Sequence, residues 1–228
     1  MRKDFGAKPL LYPMPVLMIA TYAEDGTPDV MNAAWGAVAD NDKIFIALSG
    51  SHRTVANMLA RGAFTVSPAV ASQAVACDYA GIVSANDVPD KFARAGFHAI
   101  KSQHVDAPLI AELPMALECE LISFDPETEY MFGRIVNVCA DESVLDEKGG
   151  IDTDKVDPLV FDTVAKTYRR LGDVAGRAFH DGAQLKRPER ILRRTGPCRP
   201  AGRLCRSGRP GRRPRRRRAG RTPCRRPP

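Results

Sequence analysis

The 228-residue chain has no long apolar run. Its most hydrophobic early stretch, residues 10–20, is interrupted by Pro13 and Pro15 and falls well short of the roughly 20 residues that a membrane span requires. Polar and acidic residues follow it directly and no small-residue cleavage site is evident, so it does not read as a signal peptide; the cytoplasm is the expected compartment, with no membrane partner. Paired cysteine spacings are also missing. Cys77, Cys119 and Cys139 are odd in number and far apart, and Cys198, Cys205 and Cys224 show no metal spacing. Neither a disulfide framework nor a Cys-x-x-Cys metal site follows, and the first three are expected to be buried, reduced thiols. The four histidines, His52, His98, His104 and His180, show no i, i+4 pairing with a nearby glutamate, so no zincin-type centre is expected. There is no Gly-x-Ser-x-Gly elbow, no Walker A loop and no Gly-x-Gly-x-x-Gly fingerprint.

Residues 187–228 lack aromatics altogether and contain one acid, Glu189, against 17 arginines, a balance of +16. Residues 1–186 hold the other 17 basic and 26 acidic residues, a balance of −9. The formal charge of +7 is thus a sum over two unlike parts. The basic segment cannot bury enough apolar surface to offset its ordering entropy and is expected to be disordered. It would attract nucleic acid by counterion release, without sequence preference, and has no aromatic ring to stack on bases. A shifted reading frame in GC-rich DNA would produce the same Arg, Pro, Gly and Ala richness, and both origins stay open.

Residues 16–22 form an apolar, β-compatible run ending at the turn signal Glu24-Asp25-Gly26. Residues 28–38 resume extended structure and 43–48 read as a third strand. Val55, Met58 and Leu59 lie at helical spacing, with Gly62 as a stop signal. A short strand at 64–67, a helical stretch at 70–79, a short helix at 89–95 and a long hairpin at 115–140 follow. Val160, Val164 and Leu171 are spaced as on a helix, so residues 156–171 are expected to form a C-terminal helix. Strands that follow one another without long intervening helices predict a mainly β, antiparallel barrel with α additions, not a doubly wound parallel sheet.

Three segments offer chemistry. Ser51, His52, Arg53 and Thr54 precede the predicted first helix, whose unpaired N–H groups and partial positive charge suit a phosphate; ordinary capping by Ser51 or Thr54 is the plainer alternative. Asn32, Ala33, Ala34 and Trp35 combine an amide, small side chains and one ring that could wall a planar ligand, or Trp35 could simply anchor a core. Ser84, Lys91 and Phe92 lie in or beside a polar loop where Lys91 could balance an anion, or merely be solvated. The acidic group Asp141, Glu142, Asp146 and Glu147 reads as a solvated loop.

Taken in order, Pro15-Val-Leu-Met-Ile-Ala-Thr21 with Asp25-Gly26, Asn32-Ala-Ala-Trp35, Ser51-His-Arg-Thr54, Ser84 through Phe92, Gly133-Arg-Ile-Val136 and Pro158 through Gly172 resemble the flavin reductase-like family, flavoredoxin branch. The resemblance covers residues 8–186 and implies a domain over 1–186 with the FMN-binding split β-barrel fold. It further implies non-covalent FMN, usually in a homodimer. Asn32, Ala33, Ala34 and Trp35 would then line the isoalloxazine ring, and Ser49 with Ser51, His52, Arg53 and Thr54 would hold the ribityl phosphate. Ser84, Lys91 and Phe92 would complete the pocket, and Tyr168 would approach from the C-terminal helix. Many relatives have Ser-Gly where this chain has Ser84-Ala85. The implied activity is FMN-dependent oxidoreduction: from NADH, NADPH or a protein donor to a flavin, ferric or protein acceptor. An FMN-binding electron carrier without nicotinamide turnover is the alternative. No acid–base triad is expected, because the flavin carries the chemistry.

Overall fold

The computed structural model describes residues 1–186; residues 187–228, on which the expected disorder falls, lie outside the described residues. The first compact unit spans Met1–Ala175, and a second begins at Gly176, of which residues 176–186 are described. Those residues include a short 3-10 helix, Asp181–Lys186, whose Asp181 carboxylate accepts from the Arg177 amide at 2.8 Å.

In chain order the first unit comprises β1 (Met14–Pro15), β2 (Leu17–Tyr22), β3 (Pro28–Ala33), β4 (Gly36–Asp40), β5 (Lys43–Ala47), α1 (Arg53–Arg61) and β6 (Ala63–Pro68). There follow α2 (Ala74–Ile82), α3 (Lys91–Arg94), β7 (Ala99–Lys101), β8 (Pro108–Ile110), β9 (Met115–Asp125) and β10 (Tyr130–Ala140). The unit ends with α4 (Thr153–Val156), β11 (Leu159–Asp162) and β12 (Thr167–Arg170). Among the described residues no helix is long and apolar enough to cross a membrane.

The main sheet has seven antiparallel strands in the order β3-β2-β6-β9-β10-β5-β4. Its connectivity dictates its shape. The two edge strands, β3 and β4, are consecutive in the chain and joined only by Ala34 and Trp35. Six interstrand steps of about 4.8 Å would separate the edges of a flat sheet by roughly 29 Å, whereas three Cα steps reach at most about 11 Å. The sheet must therefore curl until its edges nearly meet. The result is the antiparallel barrel the sequence predicts, left unpaired along one seam.

Strand β2 shows why this region reads as an apolar run. Ile19 points into the barrel with Ile46, Val55, Met58, Phe64 and Met131. Its neighbours Met18 and Ala20 point outward into a second core with Val30, Cys77, Phe92 and Phe97. A strand buried on both faces has no polar side to alternate with. Inside the barrel, Gly133 sits beside Phe64, so close that an added Cβ would run into the ring; the β9–β10 ladder slips register at this same point.

One predicted element is wrong. Residues 156–171 form no C-terminal helix but the hairpin β11–β12, which pairs with β1 in a three-stranded sheet. Val160, Val164 and Leu171 fall at helical spacing by coincidence: Val164 lies at the hairpin tip and is exposed, as is Leu171. The turn is set by Asp162, whose Oδ1 accepts from the amides of Val164 and Ala165 at 3.0 and 3.1 Å. The flanking Val, Phe, Thr and Tyr are strand formers. The expectation of three buried thiols also needs revision, since all three are free but Cys139 is only half-buried.

Candidate functional site

The barrel seam is where a ligand can enter. Trp35 stands at the β3–β4 junction and is 48 % exposed; it is no core anchor. The backbone carbonyl of Trp35 accepts from the Ala47 amide at 2.8 Å, which fixes the seam's geometry. Below the indole opens a cavity of about 320 Å³, within the usual range for small-molecule sites. Asn32, Ala33, Ala34 and Trp35 form one wall, and Ser49 and His52 from the β5–α1 loop another. Helix α2 contributes Asp78 and Gly81, and the β11–β12 hairpin Phe161 and Tyr168.

Gly81 permits the close approach of α2 to β3. A Cβ there would lie 3.0 Å from the Asn32 Cβ, tighter than ordinary contact. Asn32 Nδ2 donates to the Cys77 carbonyl at 3.1 Å, locking the amide at the cavity wall. Tyr168 OH donates to Asp78 Oδ1 at 2.8 Å. Burial, then the Asp78 carboxylate as acceptor, push the Tyr168 phenol up to about 12, so it remains a donor at neutral pH.

A second, smaller pocket of about 70 Å³ continues from the first, sharing Asn32, His52 and Gly81 with it. It adds Arg53, Thr54, Ser84 and Lys91. Helix α1 begins here. His52 occupies the cap position in extended conformation and no side chain caps the helix, so the N–H groups of Arg53 and Thr54, both lining the pocket, have no side-chain acceptor. Capping by Ser51 or Thr54, the plainer alternative above, does not occur. Thr54 Oγ1 instead donates to Asp29 Oδ2 at 2.6 Å, both residues being buried.

Lys91 is not solvated either. It is 3 % exposed, donates to the carbonyls of Ala80 and Val83 at 3.3 and 3.0 Å, and lies 3.7 Å from Asp29 Oδ1. Burial pulls its pKa below the ordinary lysine value, with Asp29 opposing. Arg53 is exposed and engages none of the described carboxylates in an ion pair.

The curled, split sheet and the cavity at its seam can now be set beside known proteins. The flavin reductase like domain family matches residues 10–171. The chain belongs to this flavin reductase-like family. Flavoredoxin of Desulfovibrio vulgaris (Miyazaki F) is 38 % identical with a TM-score of 0.76, the match covering 80 % of this chain and all of the other. Flavoredoxin from Methanosarcina acetivorans is 26 % identical, TM-score 0.73, over 81 % of this chain and all of that one. Nitrilotriacetate monooxygenase component B from Bacillus cereus shares the fold at 17 % identity, TM-score 0.65, over 78 % of this chain and all of its own. No curated protein matches the chain.

The flavin reductase-like fold brings most of the predicted site residues together. Asn32, Ala33, Ala34, Trp35, Ser49, His52 and Tyr168 meet at the larger cavity, and Arg53, Thr54, Ser84 and Lys91 at the smaller. Two stand apart. Ser51 lines neither cavity; its hydroxyl lies 3.2 Å from Ser49 Oγ. Phe92 is buried in the outer core, edge-on to Phe97 with ring centroids 5.8 Å apart. Tyr168 arrives from strand β12, not from a helix. Ser84 Oγ accepts from the Asn86 amide at 3.1 Å, a local turn. Sequence reasoning missed Asp29 and Asp78. Asp29 carried a faint signal, the one acid in strand β3; Asp78 carried none, since its role depends on Tyr168, 90 positions away.

Proposed function

We propose that the chain binds FMN non-covalently at the barrel seam and works as an FMN-dependent oxidoreductase of flavin reductase or flavoredoxin type. The observation carrying this reading is the pair of connected cavities: a wide one walled by Trp35, and a small one with the chemistry of an anion site. The residues present fit such a ligand. Ala33 and Ala34 leave room for a flat ring against the strand, and Trp35 flanks that space. The small pocket offers a cation in Arg53, helix N–H groups and the Ser84 hydroxyl, all suited to a phosphate. Lys91 is partly neutralised by Asp29 and contributes mainly position, while Tyr168 and Asn32 hold the opposite wall. Bound flavin would supply the redox chemistry; this chain's side chains orient it, exclude water and set its surroundings. Electrons would come from NADH, NADPH or a protein and pass to a flavin, a ferric complex or another protein.

The decisive experiment is purification followed by a visible spectrum, with the paired near-ultraviolet and blue bands of oxidised flavin expected. A colourless protein that FMN cannot reconstitute would overturn the reading. Arg53→Ala should weaken FMN by about tenfold or more, as expected for a charge-assisted hydrogen bond, and leave riboflavin nearly unchanged. Equal losses would move the phosphate elsewhere. Steady-state NADH and NADPH oxidation with added flavin separates a reductase from an electron carrier: FMN retained without turnover favours the carrier.

A homodimer is part of this proposal. Strand β4 is a sheet edge with Val38 68 % exposed, beside an apolar cavity of about 370 Å³ that includes Ala37, Ile44 and Ile151. Covering it with a second copy would remove an unpaired edge from water. Light scattering should return twice the chain mass. A cytoplasmic setting is proposed on the free thiols.

A further inference from the structure

We propose that a third cavity, outside Trp35 and Tyr168, binds a small ring-bearing anion, a carboxylate or a phosphate ester, beside whatever occupies the seam. This cavity of about 540 Å³ shares Trp35, Asp78, Phe161 and Tyr168 with the larger seam cavity. Occupants of the two would be separated by at most one layer of side chains. Its outer wall is the segment Lys8, Pro9 and Leu10; its other wall is the β11–β12 hairpin with Thr163 and Lys166. The N-terminal segment is held in place because Tyr12 OH donates to Asp162 Oδ1 at 3.0 Å and β1 pairs with β11.

Two observations point to an anion. Lys8 and Lys166 both stand at the rim, exposed, and neither is in an ion pair with a described carboxylate. Thr163 lines the cavity, and its Oγ1 is buried without a hydrogen-bond partner among the described residues.

Of the acids nearby, Asp162 is paired with a cation and Asp78, which lines the cavity, is not. Asp78 accepts from Tyr168. Asp162 accepts from Tyr12 and two turn amides and pairs with Arg169 at 3.0 Å. Two lysines stand against the one carboxylate of Asp78 and leave the cavity a net positive charge, while Leu10, Phe161 and Trp35 supply apolar surface for a ring. Adjacency to the seam makes this the place for an electron-exchange partner; that role, though not the binding itself, rests on the flavin reading.

Trp35 is the single tryptophan and lines both cavities, so its fluorescence reports locally. The purified full-length chain is titrated at fixed ionic strength with benzoate, phenyl phosphate and the neutral benzamide. A saturable change is expected for an anion, with benzamide at least tenfold weaker. The double variant Lys8→Met with Lys166→Met should weaken the anion at least tenfold and leave benzamide unchanged. The 17 arginines of residues 187–228 are present in both proteins and cancel. Tighter benzoate assigns the site to carboxylates and tighter phenyl phosphate to phosphate esters, and either supports it.

Benzamide binding as well as the anions, no saturable anion titration, or a double variant that titrates like the parent overturns the site. So does an anion response abolished by Arg53→Ala instead, which would place the probe in the small seam pocket. FMN retention is measured on the same preparations by visible spectrum. Loss of FMN binding with an intact anion titration refutes the flavin reading alone, and retained FMN without an anion response refutes the outer site alone.

Discussion

Asp29 shows how a single side chain ties stability to the anion pocket. It is 3 % exposed and faces Thr54 through one oxygen and Lys91 through the other. Asp29→Ala would strand the Lys91 ammonium in the protein interior. Removing one partner of such a pair typically costs about 3–5 kcal/mol, to be read as a lowered denaturant midpoint. Replacing both, with Lys91→Met alongside, should recover much of the loss, and a double variant as unstable as Asp29→Ala would refute the coupling. The thiols make a second prediction at this scale. Burial raises Cys77 to about 11 and Cys119 to about 12, so little reactive thiolate exists at neutral pH. Peptide mapping after brief alkylation should find the half-buried Cys139 modified before either.

The β11–β12 hairpin is the element whose misreading matters most, because it delivers Tyr168 to the seam. Its phenol titrates near 12 in the folded protein against an ordinary 10. A group that holds its proton more tightly when folded contributes stability fully below pH 10 and loses it as pH rises from 10 towards 12. Tyr168→Phe should therefore flatten the fall in stability across that interval, and an unchanged alkaline limb would show that the phenol is not coupled to folding. The contact between α2 and β3 is equally specific. Gly81→Ala brings a methyl to 3.0 Å from the Asn32 Cβ, a crowding opposed by a gain of about 1 kcal/mol in helix propensity, so the net change in stability should stay within about 1 kcal/mol. It should also loosen FMN, because both seam cavities share these two residues.

The whole molecule divides by charge. Residues 1–186 carry −9 and residues 187–228 carry +16. On a DNA column at low salt the full chain should be retained and elute as salt rises, while a 1–186 chain should pass through; equal retention would refute the division. Sequencing the coding DNA near codon 187 separates an in-frame basic segment from a shifted frame. Within the first unit the large-scale constraint is topological. Two edge strands joined by two residues require the sheet to close on itself, and closure places Trp35 at the mouth of the cavity.

Much of this was legible in order along the chain. The run 16–22, the Gly26 turn, the helix stopped by Gly62 and the long 115–140 hairpin are local events: apolar periodicity, a glycine at positive φ and turn chemistry decide them with no help from distant residues. The motif order carried the family, and the charge break at 187 was arithmetic. What the sequence could not determine depended on who meets whom. A helical spacing at 156–171 lost to pairing with β1, an interaction with residues roughly 150 positions away. Lys91 lay in what read as a polar loop until Asp29 and two α2-end carbonyls enclosed it. Phe92 turned to the core because Phe97 and Cys77 were there to receive it. Propensity and spacing are properties of neighbours in the chain; burial, ion pairing and the shape of a cavity are properties of neighbours in space, which only the closed barrel creates.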